Sequence, residues 1–443
     1  MTESEKHLQA MLTPSREQLV RLVERFQGEI QRGLAGEVSS IAMHPSFVSR
    51  PSGGETGRFV ALDLGGSNVR VTIVEPDGRG SAAVTRQESF RLTATSGDAR
   101  DLFDPVADFI GDVIEADGSH KLGFIFSFPV QHESVRSGRL EKWTKEFAFT
   151  GVEGMDVVRL LEEAITSKSN ESPALKTLSV SALANDTVST LAWGAYLDPR
   201  CDMGLIVATG MNMAAAVSRD LIAKPLPPTI GNPDEMLFNM ECGNFDGVEL
   251  IHTPLDTRLV SESGTRGQLL EKMISGRYLG ELVRLAVVHL ESRGDAFSGW
   301  TASGSAFGLE FGITAEHISD IVHDESPELV GVGMLLRRLG IAACITDERR
   351  LLKNACQLIA NRSARLVAMG IAATALFMDP ELGSEHVVAV DGSLFRGCPG
   401  YQTEVRTGLR ELLGESRSDR VLVTYLRDAS GVGAAIIAAV AAG

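Results

Sequence analysis

The chain has 443 residues, of which 44% are hydrophobic and 23% are charged, and its formal net charge is −16. This length exceeds what one hydrophobic core normally serves, so two domains are expected. The negative charge disfavours nucleic acid or an anionic membrane as a main partner, although a locally positive site could still bind an anionic substrate.

The cysteines and the apolar segments indicate the cellular setting. Five cysteines are widely spaced without a Cys-x-x-Cys pair, so neither a disulfide framework nor a structural zinc site is predicted. The polar N-terminal segment lacks the apolar core of a secretion signal. The longest apolar runs, residues 366–378 and 432–442, are too short to span a bilayer. We therefore expect a cytoplasmic protein without a membrane partner.

The first part of the chain reads as a helix, a connector and an α/β unit. Hydrophobic residues at helical spacing predict an amphipathic helix over 14–34, beginning near Pro14 or Ser15. Residues 35–57 contain prolines and a glycine-rich turn and are predicted to form a connector. Further patterns predict strands over 59–64, 69–74, 81–92 and 122–128, and helices over 101–116 and 153–167.

Residues 178–196 are the stretch around which the chain is organised. An apolar run over 178–183 predicts a buried strand, and a helical pattern follows Asp186. Asp186 should therefore lie where a strand ends and a helix begins, the usual position of ligands in open α/β sheets. An alternative is that Asp186 only caps the helix.

The second half repeats this plan. Its apolar pattern predicts strands over 203–208 and 213–217, separated by a turn. The Gly-x-Asn of the first turn, Gly66-Ser67-Asn68, recurs there as Gly210-Met211-Asn212. Two units that each open with a hairpin imply a duplicated α/β fold around a cleft. The remaining predictions are helices over 266–292, 348–376, 401–414 and 430–442, strands over 386–391 and 420–425, and an unassigned region over 293–345.

The first glycine turn is a candidate phosphate site. No Gly-Lys pair occurs, which excludes a P-loop, and Ile436 occupies the third small position of a possible dinucleotide motif at Gly431-Val432-Gly433. In the turn 63–68, glycine backbone N–H groups could approach phosphate, and Asp63 could hold hydrated Mg²⁺. An ordinary β-hairpin turn is the alternative.

The order of motifs resembles the eukaryotic-type hexokinases of the sugar kinase, actin and heat-shock ATPase superfamily. The resemblance runs from about residue 40 to the end of the chain. The segments that carry it are ALDLGGSNVRV, LGFIFSFPV, LEKWTKEF, SALANDTVSTL, LIVATGMNMAA, NMECGNF, GQLLEKMISGRYLGEL, VAVDGSLFRGCPGY and DASGVGAAIIAA. Each is weak alone, but nine in this order are specific.

The resemblance implies a two-lobed, duplicated ribonuclease-H-like α/β fold, as in the actin-like ATPases. It places a small domain at residues 58–187 and 428–443, and a large domain at residues 1–57 and 188–427. It also implies ATP-dependent phosphorylation of the 6-hydroxyl of a hexose, most readily D-glucose, with Mg²⁺ as cofactor. The expected oligomeric state is a monomer or a homodimer.

The same resemblance assigns residues by position. Asp186 would be the catalytic base, assisted by Lys145. The hexose would contact Ser127, Phe128, Thr144, Lys145, Asn185, Asp186, Asn212, Glu241, Gln268 and Glu271. ATP would contact Asp63, Gly65, Gly66, Ser67, Asn68, Arg70, Thr209, Gly210, Gly392 and Ser393, with Asp63 also serving the metal. A ring of sugar hydroxyls does need such polar partners, and phosphoryl transfer needs a base and N–H-rich surroundings.

Taken singly, several of these residues have simpler interpretations. Thr144-Lys145, Glu241, Gln268 and Glu271 would each most often be surface residues, and Trp143 would most often belong to the core. His120, His252 and His289 show no metal-ligand spacing, so no role is assigned to them.

The chain departs from the family pattern at Ala208, Glu146 and Ala429, where glycine is usual, and at Ala215-Ala216, where the family tends to carry a tyrosine. If residue 208 needs a positive φ, alanine would cost about 1 kcal/mol there. These departures support one rival hypothesis, a catalytically weak sugar-binding regulator on the same scaffold. An actin- or chaperone-like ATPase is disfavoured because it leaves the sugar constellation without a purpose.

Overall fold

The structure is a computed structural model that describes residues 1–116, 118–144 and 147–443. The N-terminal segment contains helices α1 (Glu3–Leu12) and α2 (Arg16–Ala35) and the short strand β1 (His44–Pro45). Both helices begin with a capping box, formed by Thr2 and Glu5 in α1 and by Ser15 and Gln18 in α2. The start that the sequence predicts for α2 is confirmed.

The first α/β unit follows the connector. Its elements are β2 (Phe59–Leu64), β3 (Asn68–Pro76), β4 (Ala82–Arg91), β5 (Ser96–Asp98), α3 (Ala99–Val113), β6 (His120–Phe126), β7 (Val130–Ser134), β8 (Ser137–Leu140), β9 (Ala148–Thr150), α4 (Val157–Lys168), β10 (Leu178–Ala184) and α5 (Asp186–Leu197). Five of these strands form the first sheet, in the order β10-β6-β2-β3-β4.

The second unit begins at residue 201. Its elements are β11 (Cys201–Val207), β12 (Met211–Ser218), β13 (Glu235–Asn239), α6 (Pro254–Glu262), α7 (Leu269–Ile274), α8 (Gly276–Ser292), α9 (Ala315–His323), α10 (Val330–Arg338), α11 (Thr346–Met378), β14 (His386–Asp391), α12 (Ser393–Gly397), α13 (Tyr401–Leu413), α14 (Glu415–Ser418), β15 (Val421–Tyr425) and α15 (Ala429–Ala442). The second sheet has the order β1-β13-β12-β11-β14-β15.

The two sheets share one topology. In the first sheet β2, β3 and β4 form an antiparallel meander, while β6 and β10 run parallel to β2. In the second sheet β11, β12 and β13 form the matching meander, while β14 and β15 run parallel to β11. The predicted duplicated, two-lobed α/β fold is therefore confirmed, and β1 is an addition at the edge of the second sheet.

Two helices join the sheets. α5 contacts β11 and β14 of the second sheet, whereas α15 contacts α5 and strands β2, β6 and β10 of the first sheet. A Cβ at Gly433 in α15 would lie 1.7 Å from the carbonyl oxygen of Ser189 in α5. Only glycine permits this approach, so Gly433, which resembled part of a dinucleotide motif, instead has a packing role.

Several sequence predictions need correction. The helix predicted over 266–292 is two helices, α7 and α8, because Ser275 is extended and the first N–H groups of α8 donate to Ala208 and Thr209. The connector over 35–57 contains β1, which pairs with β13. α1 was not predicted, and the unassigned region over 293–345 contains α9 and α10. Within the described ranges, no helix combines the length and the apolar character that a membrane crossing requires.

Candidate active site

Three loops of the first sheet meet at one edge. β2, β6 and β10 are neighbouring parallel strands, so Gly65, Ser127 and Asn185-Asp186 follow their carboxyl ends side by side. A Cβ at Gly65 would lie 3.4 Å from the hydroxyl oxygen of Ser127 and 3.4 Å from Oδ1 of Asp63. The predicted base, one predicted sugar contact and the predicted phosphate turn are thus brought to the same edge.

Asn185, rather than Asp186, is the cap of α5. Its Oδ1 accepts from the backbone N–H of Thr187 at 2.8 Å and from the Thr187 hydroxyl. Asp186 is the first helical residue, and its Oδ1 also accepts from Thr187 N–H at 2.8 Å. The positive end of the helix dipole favours the ionised carboxylate at this position. Because Asn185 already supplies the cap, capping does not by itself account for an acid at residue 186.

The glycine turn leaves its backbone accessible. A Cβ at Gly66 would have no heavy atom within 4 Å, so the backbone there is open, whereas the Ser67 carbonyl accepts from Leu92 N–H at 2.7 Å and anchors the turn. Asp63 lies opposite Arg70 in the β2–β3 register. Arg70 pairs with Asp428 at 3.3 Å, which links this turn to the start of α15.

The second sheet presents a matching edge. Thr209 and Gly210 follow β11, and Gly392 and Ser393 follow the parallel strand β14. Asp391 accepts from Ala429 N–H at 2.8 Å. Burial, reinforced by the nearby Asp428, raises the pKa of Asp391 above the usual aspartate range. This edge is therefore connected to the same end of α15 as the first.

The departures at residues 208 and 429 do not strain the backbone. Neither Ala208 nor Ala429 takes a positive φ. The condition under which alanine at residue 208 would carry a backbone penalty, a positive φ, is therefore not met. Ala429 is fully buried and follows Asp428, which is the residue that takes the left-handed conformation, with φ 51°.

A polar cluster lies beside the second turn. Asn212 Nδ2 is 2.7 Å from Asn239 Oδ1 and 3.3 Å from Glu241 Oε1, while Asn239 Nδ2 is 2.7 Å from the same Glu241 oxygen. A Cβ at Gly210 would lie 3.0 Å from Glu271 Oε1. The structure thus brings together Asn212, Glu241 and Glu271. It adds Asn239, which the sequence patterns did not single out.

Glu241 and Gln268 have unusual backbone conformations. Both take a left-handed conformation, with φ 53° and 61° respectively. Such residues are uncommon outside glycine and asparagine and concentrate at functional sites. Buried Lys272 donates to the carbonyls of Thr265 and Gly267, which holds the loop that leads to Gln268. Gln268 itself is exposed, whereas Glu241 is half-buried.

An aromatic cluster supports the remaining predicted sugar contacts. Phe128 is buried against Trp143 and Phe147, with ring centroids 5.0 and 5.2 Å away. Trp143 is half-buried, packs against this core and donates its ring N–H to the Phe149 carbonyl at 2.8 Å. Thr144 follows Trp143 directly, and its carbonyl accepts from Phe147 N–H at 3.2 Å. Lys145 and Glu146 lie outside the described residues.

Comparisons with known proteins agree along the whole chain. Two family profiles, both described as hexokinase, match residues 5–196 and 202–440. Hexokinase-1 of Oryza sativa subsp. japonica is 37% identical, over 97% of this chain and 89% of its own length. Hexokinase-1 of Saccharomyces cerevisiae is 32% identical, over 98% of this chain and 90% of its own length. The structure of a Schistosoma mansoni hexokinase complexed with glucose matches with a TM-score of 0.84 and 31% identity, covering 99% of both chains.

Proposed function

The chain belongs to the hexokinase family, and on that premise we propose that it transfers the γ-phosphoryl group of ATP to the 6-hydroxyl of a hexose, with D-glucose as the substrate. The observation that carries this proposal is the position of Asp186. Its carboxylate begins a helix at the sheet edge that also carries Ser127 and the Gly65-Gly66 turn. An acceptor hydroxyl held there would lie between a base and an anion cradle.

Asp186 is proposed to accept the proton of the sugar hydroxyl as that oxygen attacks phosphorus. General bases of this kind contribute about 10²–10⁴-fold to rates. The carboxylate lies at the positive end of the α5 dipole. Lys145, which the family pattern assigns to the hexose and to catalysis, keeps that proposed role.

The nucleotide is proposed to bind between the two sheet edges. The backbone N–H groups of the first turn suit phosphate oxygens because the glycines leave the backbone accessible, and Gly66 has open space beside it. Arg70, Thr209 and Gly210 would contribute further donors. Gly392 and Ser393, at the end of β14, are proposed to lie near the adenosine.

Asp63 fits a role in holding Mg²⁺. Among the described residues no group of three or more His, Cys, Asp or Glu side chains forms a metal site. A single carboxylate suits Mg²⁺ in nucleotide sites because waters and phosphates supply its other ligands. The ion, when bound with ATP, would neutralise charge on the transferred phosphoryl group.

The hexose is proposed to bind a ring of polar groups drawn from both halves of the chain. Ser127, Thr144, Lys145 and Asn185, with the backbone at Phe128, come from the first unit. Asn212, Glu241, Gln268 and Glu271 come from the second. We further propose domain boundaries at residues 58–187 with 428–443, and 1–57 with 188–427. The packing of α15 against the first sheet supports this division.

The first experiment is ATP-dependent phosphorylation of a hexose panel by wild type, Asp186→Asn and Asp186→Ala. We expect wild type to phosphorylate glucose and both variants to lose at least about 10²-fold in kcat. Asp347→Ala is a matched control, because Asp347 is an exposed acid in the first turn of α11. It should leave kcat unchanged.

The outcomes separate the hypotheses. Near-wild-type turnover by Asp186→Asn would show that Asp186 is not the base. Loss of the fold in both Asp186 variants would assign it a structural role instead. If wild type phosphorylates no hexose yet gains thermal stability with glucose, the protein is the sugar-binding regulator rather than a kinase.

A further inference from the structure

Asn239 links two residues that the proposed function assigns to the sugar. It is the last residue of β13 and lies opposite Ala214 of β12. Its side chain accepts from Asn212 Nδ2 at 2.7 Å and donates to Glu241 Oε1 at 2.7 Å. All three side chains are half-buried. A single amide therefore joins Asn212 of β12 to Glu241 beyond the end of β13.

The direction of every hydrogen bond in this chain of amides is fixed by a backbone group. Met213 N–H donates to Asn212 Oδ1 at 2.8 Å, and a backbone N–H can only donate. Asn212 must therefore turn its NH₂ group towards Asn239. Asn239 must accept with its oxygen and so turns its own NH₂ group towards Glu241. Each of the two amides therefore has a single orientation, with its NH₂ group directed towards the next acceptor and finally towards the Glu241 carboxylate.

The backbone at Glu241 is also held in place. It takes φ 53° between buried Met240 and buried Cys242. Met240 N–H donates to the Met213 carbonyl at 2.9 Å, so the backbone beside Glu241 is tied to the same strand as Asn212. The Cys242 thiol is kept neutral because burial, then the neighbouring Glu241 carboxylate, raise its pKa. Two amides hydrogen-bond to Oε1 of the Glu241 carboxylate.

We propose that Asn239 is a positioning residue for hexose binding. It holds the Glu241 carboxylate as a hydrogen-bond acceptor and the Asn212 amide as a donor, so that hydroxyls of matching orientation bind and those of the wrong orientation do not. This inference rests on the proposed function. Because a misplaced acceptor leaves buried polar groups unpaired, the effect should fall on sugar affinity and on the choice between hexoses.

Asn239→Asp is the sharpest test, because it preserves shape and removes only the donor. The introduced carboxylate can still accept from Asn212, but it faces Glu241 Oε1 across a hydrogen-bond distance. Two carboxylates this close cannot both ionise readily, so the pair retains a proton at low pH and loses it as pH rises. In its protonated form the introduced carboxyl can donate to Glu241 as asparagine does, whereas in its ionised form it repels Glu241.

The measurement is the glucose Kd by calorimetry at pH 6 and pH 8, together with KM and kcat. We expect Asn239→Asp to weaken glucose binding at least about tenfold at pH 8 and to recover much of that loss at pH 6. The kcat at saturating glucose should stay within about threefold of wild type, and KM for ATP should not change. Asn170→Asp, at an exposed position far from the cluster, adds the same charge and should bind glucose like wild type at both pH values.

A role in stability alone would lower the unfolding temperature without a pH-dependent Kd, and that result would overturn the proposal. If Asn239→Asp does not fold at pH 8, Asn239→Ala replaces it and must raise the glucose Kd while kcat is retained. Equal Kd values for Asn239→Ala and wild type would overturn the proposal as well. Failure of the proposed function is distinguishable, because wild type itself would then phosphorylate no hexose, whether or not it binds one.

Discussion

The two sheets have the same strand order but different third strands. β4, the third strand of the first meander, is exposed along nearly its whole length. β13, its counterpart in the second sheet, is largely buried, is covered by β1 and leads into Glu241. The second sheet thus carries a polar cluster beside its meander, at the end of β13. The added edge strand β1 therefore lies on the sheet that carries this polar cluster.

The sheets also differ in how small residues are placed where two parallel strands end. In the first sheet Gly65 follows β2 and faces Ser127, which follows β6. In the second sheet Ala208 follows β11 and faces Gly392, which follows β14. The glycine thus follows the first strand of the pair in one sheet and the second strand in the other. Of the two glycines, only Gly392 takes a positive φ, at 138°. At this topological position each sheet therefore carries a side chain on one strand and glycine on the other.

The largest effect predicted from this comparison is that of Gly392→Ala. A Cβ at Gly392 would lie 2.1 Å from the Val207 carbonyl oxygen, and its φ of 138° and ψ of 147° are nearly exclusive to glycine. We expect a loss of at least about 3 kcal/mol in the free energy of unfolding, measured by urea denaturation. KM for ATP should also rise, because the end of β11 must move.

Gly65→Ala is the matched variant in the first sheet. Its Cβ would lie 3.3 Å from Ser127 Cβ, and Gly65 does not have a positive φ. The Ser127 side chain can yield by a few tenths of an ångström, so the loss should stay within about 1 kcal/mol. If Gly65→Ala and Gly392→Ala lowered the free energy of unfolding equally, the two glycine positions would not differ in their structural requirement.

Two histidines should affect the pH dependence of stability differently: His132, where β7 meets β1, and His386, in the second sheet. His44 of β1 faces His132 of β7, with Glu141 and Lys224 as the charged neighbours. Burial, then the neighbouring His44, lower the pKa of His132 to about 4. His386, at the start of β14, is instead hydrogen-bonded to Asp202 at 2.5 Å, which raises its pKa.

The signs of the two effects are opposite. The unfolded chain binds a proton at His132 below about pH 6.5 while the folded chain does not, so stability falls as pH decreases from 6.5 towards 4. His386 stays protonated in the folded chain above pH 6.5, so its contribution is present below that pH and is lost as pH rises through its folded pKa.

Urea denaturation at pH 5, 7 and 8.5 tests both signs. His132→Gln should remove on the order of 1 kcal/mol of the loss between pH 7 and pH 5, whereas His386→Gln should reduce stability more at pH 5 than at pH 8.5. His323→Gln, at an exposed position on α9, is the control and should follow wild type. Parallel curves for all four proteins would contradict this assignment.

Hydrophobic patterning was sufficient to predict both hairpins, the strand before Asp186 and the duplication, because these elements bury continuous apolar runs. It could not predict the break at Ser275, which depends on the Ala208 and Thr209 carbonyls of a distant turn. It missed α1, of which only Leu8 and Leu12 are buried. The contacts of Asn239 could not be predicted, because its partners are Asn212 on another strand and Glu241 beyond the end of β13. The left-handed conformations of Glu241 and Gln268 also have no local sequence signal.

Ala208→Gly is predicted to have the smallest effect, and it bears on the rival regulatory hypothesis. That hypothesis drew support from the alanine found where the family usually carries glycine. Because Ala208 does not take a positive φ, glycine relieves no strain there and only increases the freedom of the unfolded chain. We expect a loss of about 0.5–1 kcal/mol in stability and a KM for ATP within about twofold of wild type, measured by steady-state kinetics. A clear fall in KM for ATP would mean that the alanine does hinder the nucleotide. An unchanged KM would remove residue 208 from the reasons to doubt catalysis, and Glu146 would then be the departure to examine by Glu146→Gly.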